Sequence, residues 1–232
     1  MRKTNFIFIQ EKLQICNVSR IIMMQKEIST KRDSILVVPL ALLLLALAVA
    51  IWSVIDVQDT YLTWVLEAAP AIVWILFLIL TYKNFRFPNW MYAVMCLHII
   101  VLLVGAHYSY AEVPLGEWMK EWFGFSRNNY DKIGHFMQGF TPTMMSVEIL
   151  RRNTDLKSFG WIGFLSFSVA MMISAVYEII EWLASLSNPT DTEAFLGTQG
   201  YIWDTQSDMF CCLLGSVCAL VVTLIVVKRG RA

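Results

Sequence analysis

The chain has 232 residues, 57% hydrophobic and 16% charged, and its 18 Lys plus Arg balance 18 Asp plus Glu to a formal net charge of zero. Soluble domains carry about 25% charged and about 45–50% apolar residues, and here the apolar residues gather in long runs rather than spreading as they do in a packed core. The composition excludes a soluble enzyme, a disordered tail and a nucleic-acid binder with a basic surface; it is that of a membrane protein.

In chain order, residues 1–33 carry seven Lys and Arg, no apolar stretch of signal-peptide length and no small-residue cleavage site. They read as a cytoplasmic N-terminal segment, dispensable or mis-started, with Met23 and Met24 as alternative first residues. Residues 34–232 read as one transmembrane domain. Ser34–Ile55 holds 22 residues without a charge, enough for a helix to cross a hydrocarbon layer about 30 Å thick. Further spans are expected at Ala68–Tyr82, Trp90–Tyr110, Gly160–Ala184 and Thr205–Val227. The second begins inside a longer amphipathic stretch, Tyr61–Tyr82, with Pro70 tolerated near the helix start. Between the third and fourth of these runs, Glu117-Trp-Met-Lys-Glu-Trp-Phe123 has the spacing of a short helix lying on the outer surface.

A weaker run, Ile133–Leu150, is interrupted by His135, Gln138, Pro142 and Glu148. Counting it as a span places fifteen of the eighteen Lys and Arg residues on one side of the membrane, as the positive-inside rule requires. Omitting it would put the basic carboxy-terminal tail outside. The expected fold is therefore all-α and polytopic, with six transmembrane helices and both termini cytoplasmic. That topology divides the zero net charge into +10 on the cytoplasmic side and −10 on the outer side. Trp52, Trp64, Trp182 and Trp203 then fall near outer span ends and Trp90 and Trp161 near inner ends, where amphipathic rings prefer to sit. The five cysteines form no CxxC pair and read as buried thiols or, for Cys16, as part of the N-terminal segment.

Ionisable residues inside membrane helices are costly, so each marks a candidate site. Asp131, His135 and Gln138 share one face of the fourth expected helix; Glu178 and Glu181 share a stripe of the fifth with Ser174 and Ser185. Asp204 and Asp208 share a stripe of the sixth with Cys211 and Gly215. The topology brings all three sets to the outer side, within about 10 Å of the interface, with His107 placed to join them. Five such carboxylates near one histidine need protons, a divalent metal ion or a cationic ligand to offset their charge. Asp131, His135, Glu178, Glu181, Asp204 and Asp208 are the expected metal ligands, and the identity of the ion stays open. Glu178, Glu181 and His135 are the expected catalytic groups; Gln138, Tyr177, Gln199 and Trp203 are the expected substrate contacts. Asp131 and Asp204 also suit helix N-caps. Glu67, Glu112, Glu117, Glu121, Asp191 and Glu193 read as solvated loop charges, and Glu148 as a local partner of Arg151 and Arg152. The loop Phe195–Asp204, with Gly197 and Gly200, reads either as a lid over the pocket or as a plain turn.

Tyr130-Asp-Lys-Ile-Gly-His-Phe136, Gln138-Gly-Phe-Thr-Pro142, Tyr177-Glu-Ile-Ile-Glu-Trp182, Phe195-Leu-Gly-Thr-Gln-Gly200 and Trp203-Asp-Thr-Gln-Ser-Asp208 together resemble the YjdF-type bacterial inner-membrane proteins. The resemblance runs from about residue 35 onward and implies location and topology but no reaction. The Asp-x-x-x-His pair with a later helical acid and Asp is more distantly similar to the VanZ-like membrane proteins. Three functions stay open: a metal-dependent site that binds or acts on a lipid-linked or envelope molecule, a small proton-coupled transporter or permease, and a non-catalytic structural component. The bilayer is the one partner common to all three.

Overall fold

The computed structural model describes residues 36–187 and 201–229, with side chains described for 36–183 and 201–226. Residues 1–33, and with them the expected division at residue 34, lie outside the described residues. The chain forms two compact units, residues 1–42 and 43–232. In the first, the described residues form the opening turns of helix α1 (Leu36–Val54); the second holds the rest of that helix and all the other described elements.

Every regular element among the described residues is helical. Helix α2 is Tyr61–Thr81, α3 is Asn89–Tyr108, α4 is Pro114–Phe123, α5 is Tyr130–Asn153, α6 is Phe159–Ser187 and α7 is Asp204–Arg229; a short 3₁₀ turn, Tyr110–Glu112, follows α3. Five of them, α1, α2, α3, α6 and α7, are long and apolar enough to cross a membrane.

The ends follow from local chemistry. The Thr60 hydroxyl accepts from the Thr63 N–H at 3.1 Å and starts α2 seven residues before its uninterrupted apolar run. Pro70 thus sits in the middle of α2 rather than near its start, leaving the Leu66 carbonyl without its usual donor. α4 has Pro114 at its first position and ends at Gly124 in the left-handed conformation, φ 69°. The short helix expected around residues 117–123 is present, with Trp118 and Trp122 exposed and their rings 6.5 Å apart.

α5 has the least apolar sequence of the long helices, yet no residue from Tyr130 to Leu150 is exposed. It packs against α3, α6 and α7, which take the place of lipid around it. At 1.5 Å per residue, its 24 residues reach about 36 Å.

The α5–α7 contact is a backbone contact. A Cβ on Gly139 would run into the Cys212 carbonyl of α7, and one on Gly215 into the Phe136 carbonyl of α5. Ser216 Oγ donates to the Gly139 carbonyl at 3.2 Å, and Cys212 Sγ reaches the Ala170 carbonyl of α6 at 3.7 Å. Without a hydrophobic drive between helices in lipid, small residues that allow such approach hold the bundle together. At the opposite end of α5, Glu148 pairs with Arg151 at 3.7 Å and with Arg152, as expected, and Arg152 also donates to the Arg86 carbonyl at 2.6 Å in the α2–α3 connection.

Gly215→Val is expected to lower stability by about 1–3 kcal/mol through overpacking, whereas Gly163→Ala, whose added methyl would meet only Leu220 side-chain atoms at 3.6 and 3.8 Å, leaves it nearly unchanged. Thermal unfolding of the two variants in the same detergent measures the difference.

Candidate functional site

The N-terminal half of α5, the C-terminal half of α6 and the start of α7 meet at one end of the bundle, joined there by the first half of α2 and the second half of α3. Between them lies a cavity of about 180 Å³. α2 lines it with Glu67, Pro70 and Trp74, α3 with His98 and Leu102, α5 with Asp131, His135, Gln138 and Pro142, α6 with Tyr177 and Glu181, and α7 with Asp204 and Asp208.

Five of the six expected ligands come together on the α5, α6 and α7 side in two groups that share Asp208, whereas Glu181 lines the cavity outside both. One ligand atom each from His135, Glu178 and Asp208 lies within 4.8 Å of the others, and so do atoms of Asp131, Asp204 and Asp208. His135 Nδ1 is 3.0 Å from Gln138 Oε1 and 3.7 Å from Glu178 Oε1, and its Nε2 is 3.6 Å from Asp208 Oδ1. Gln138 thus orients the imidazole that Glu178 and Asp208 flank. Glu178 is buried behind His135, and its Oε1 has no hydrogen-bond partner among the described residues.

Two cations already compensate the aspartates. Lys132 Nζ donates to Asp204 Oδ1 at 2.6 Å and Asp208 Oδ1 at 2.7 Å, and stands 3.2 Å from Asp131. Arg127 donates to Asp131 at 2.9 Å and Asp204 at 2.5 Å, and lies over the Tyr201 ring. Asp131 and Asp204 therefore serve an ion network rather than simple helix caps. Of the two ligand groups, Asp131, Asp204 and Asp208 share two protein cations, while His135 and Glu178 have neither Lys nor Arg as an ion-pair partner among the described residues.

Several expectations change. Glu67 is no loop charge: it is buried in the second turn of α2 and lines the cavity, with Oε1 3.5 Å from the Ser109 hydroxyl and Oε2 unpartnered among the described residues. Thr60 capping carries the helix back past Ala68 and turns this residue inward. His107 does not join the site; its Nδ1 is 3.3 Å from the Ser53 carbonyl and its ring lies 4.2 Å from that of Trp52. Tyr177 and Gln138 line the cavity, whereas Trp203 is 57% exposed and outside its lining. Gln199, the rest of the expected lid up to Gly200, Asp191 and Glu193 lie outside the described residues. Sequence reasoning misses His98, which sits in an apolar run with no polar neighbour at helical spacing, and Arg127, whose one signal is its place four residues before Asp131.

Asn128 holds the approach to α5. Its amide donates to the Val113 carbonyl at 3.0 Å and to Glu117 at 3.2 Å, and its side-chain oxygen accepts from the Tyr130 N–H at 3.0 Å. Gly116 is required beside it, since a Cβ there would collide with that amide. Tyr130 in turn donates to the Val101 carbonyl of α3 at 3.0 Å, fixing the first turn that carries Asp131 and Lys132.

Residues 38–229 match the family described as "Predicted membrane protein (DUF2238)". The chain is 43% identical over 173 residues, 75% of its own length and 82% of the relative's, to a protein named "Inner membrane protein YjdF" from Escherichia coli strain K12. No solved structure matches.

Lys132→Met removes the cation that Asp204 and Asp208 share and is expected to destabilise the protein by about 3 kcal/mol, the scale for a buried pair losing one partner. Adding Asp208→Asn to that variant restores part of the loss. Denaturant or thermal midpoints of wild type, single and double variants give the coupling.

Proposed function

The chain belongs to the family described as "Predicted membrane protein (DUF2238)", and from that premise we propose that this inner-membrane protein uses its cavity as an outward-facing, metal-dependent site for a lipid-linked or envelope molecule. The observation that carries the proposal is the convergence of His135, Glu178 and Asp208 within 4.8 Å at the cavity edge, with a buried carboxylate oxygen left over. Two carboxylates and one imidazole are a donor set for Zn, Fe or Mn. A metal ion there would supply a Lewis acid or an activated water. Gln138 orients the imidazole, Glu181 is the cavity carboxylate placed to accept a proton, and Tyr177 borders the space a substrate would enter. The ion network of Arg127, Lys132 and the three aspartates holds the start of α7 against α5.

The proposed topology has six spans, α5 being the sixth, with both termini cytoplasmic. Burial of α5 by its neighbours explains how so polar a helix crosses a bilayer, and the distribution of Lys and Arg sets the direction. A lipid-linked substrate fits because Leu66 and Ile180, two apolar residues of the cavity wall, are 41% and 52% exposed. The runner-up is proton-coupled transport. It draws on Pro70 and Pro142, which interrupt the hydrogen bonding of two helices at the cavity, and uptake by proteoliposomes that is abolished in Glu181→Gln would favour it.

Metal analysis of the purified protein is expected to find close to one divalent ion per chain, lost in His135→Ala and Glu178→Ala and retained in Glu121→Ala on α4. A metal-free protein, or one whose metal content neither site variant changes, overturns the metal reading.

A further inference from the structure

The cavity has a second polar wall, formed by α2 and α3. His98 is 2% exposed and lines the cavity, and neither ring nitrogen has a hydrogen-bond partner among the described residues. Glu67 is 6% exposed and lines the same space with Oε2 unpartnered. A buried polar group without a hydrogen bond costs about 1–3 kcal/mol, more for a charge, so these atoms call for polar partners within the cavity. Glu181 approaches from α6. Tyr110 and Tyr177 line the same cavity as Glu67 and Glu181. Trp74 closes the wall, its ring 6.3 Å from that of His98.

The charge balance selects the ligand chemistry. Asp131, Asp204 and Asp208 have Arg127 and Lys132, but Glu67 and Glu181 have no Lys or Arg ion-pair partner among the described residues. Among those residues, neither Glu67, Glu181 nor His98 belongs to a group of three with metal-ligand spacing. A metal ion is therefore a poor fit to this wall. A positively charged group with several donors fits the two carboxylates: a primary ammonium offers its N–H donors to Glu67 and Glu181, aromatic faces add attraction for a cation, and His98, whose neutral ring presents one donor and one acceptor nitrogen, fits an oxygen of the same ligand.

We propose that Glu67 and Glu181 form a subsite for the primary ammonium group of an amine-bearing ligand, either the headgroup of an amine-headed lipid or a free small amine, with His98 meeting an oxygen of the same ligand. The proposal takes from the preceding reading only that the ligand occupies this cavity; it does not require a metal ion.

The test is binding by calorimetry to detergent-purified, chelator-treated full-length protein, so that failure of the metal reading leaves this result unaffected. The probes are ethanolamine and short-chain dihexanoyl lipids with ethanolamine, choline or glycerol headgroups. The ethanolamine-headed lipid is expected to bind about tenfold or more tightly than the glycerol- and choline-headed ones, because the latter two lack a primary ammonium. Comparable affinity for free ethanolamine assigns the site to a soluble amine; its absence assigns the site to the lipid. Glu67→Gln is expected to lower affinity for the preferred amine by about tenfold or more while leaving weak glycerol-headed binding unchanged. Should Glu67→Gln not yield folded protein, Glu181→Gln takes its place. Equal affinity for all three headgroups, or undiminished amine binding in a folded variant, overturns the proposal.

Discussion

The site depends on how closely α5 and α7 approach each other. Gly139 and Gly215 let each backbone come against the other's carbonyl, at Cys212 and Phe136, and the Ser216 hydroxyl donates across the crossing to the Gly139 carbonyl. Two turns further toward the cavity, that same approach sets Asp208 and Asp204 beside Lys132, with Asp208 3.6 Å from His135. With larger residues at the crossing, the helices would separate by the width of a side chain. Lys132 could then not reach two aspartates at once.

Around that crossing the protein separates its charges into two groups. On one side, three aspartates share Arg127 and Lys132, a compact and largely buried network whose ions compensate each other. On the other, Glu67, Glu181, His98 and the His135–Glu178 pair border or back an open space without such partners. Polar groups of a membrane protein persist where they face a cavity or the interior of a bundle, and α5 has no exposed residue from Tyr130 to Leu150. Asp131 and Asp204 read as structural, while Asp208 links the network to His135. The unpaired group is the part of the molecule on which the proposed chemistry rests.

The membrane spans are legible in the sequence to within a few residues wherever apolar length alone decides, as at α3, α6 and α7. The facing stripes are legible too, because Asp131 with His135, Glu178 with Glu181, and Asp204 with Asp208 each follow helical spacing. What periodicity misses is the contribution of partners. Apolar length alone draws α2 too short, since its first two turns carry Thr63 and Glu67; the amphipathic stretch from Tyr61 marks them, and the Thr60 cap fixes where the helix begins. Glu67 is hidden for the same reason. His98 looks like one polar residue in an apolar run, and its significance comes from α2 and α5 packing across it. Lys132 is visible as a neighbour, but its reach to Asp204 and Asp208, 72 and 76 residues away, follows from tertiary packing.

The proposed chemistry requires a single cavity, open to the outer side, between the polar face of α5 and the ends of α2, α3, α6 and α7. A cysteine-free background carrying Gln138→Cys on the cavity wall, compared with Thr223→Cys buried in the far half of α7, tests it in intact spheroplasts with a membrane-impermeant thiol reagent. The thiol at position 138 is expected to be modified from outside, and the one at 223 to stay unmodified. Modification of position 138 only in inside-out vesicles, or in neither orientation, would contradict an outward-facing cavity.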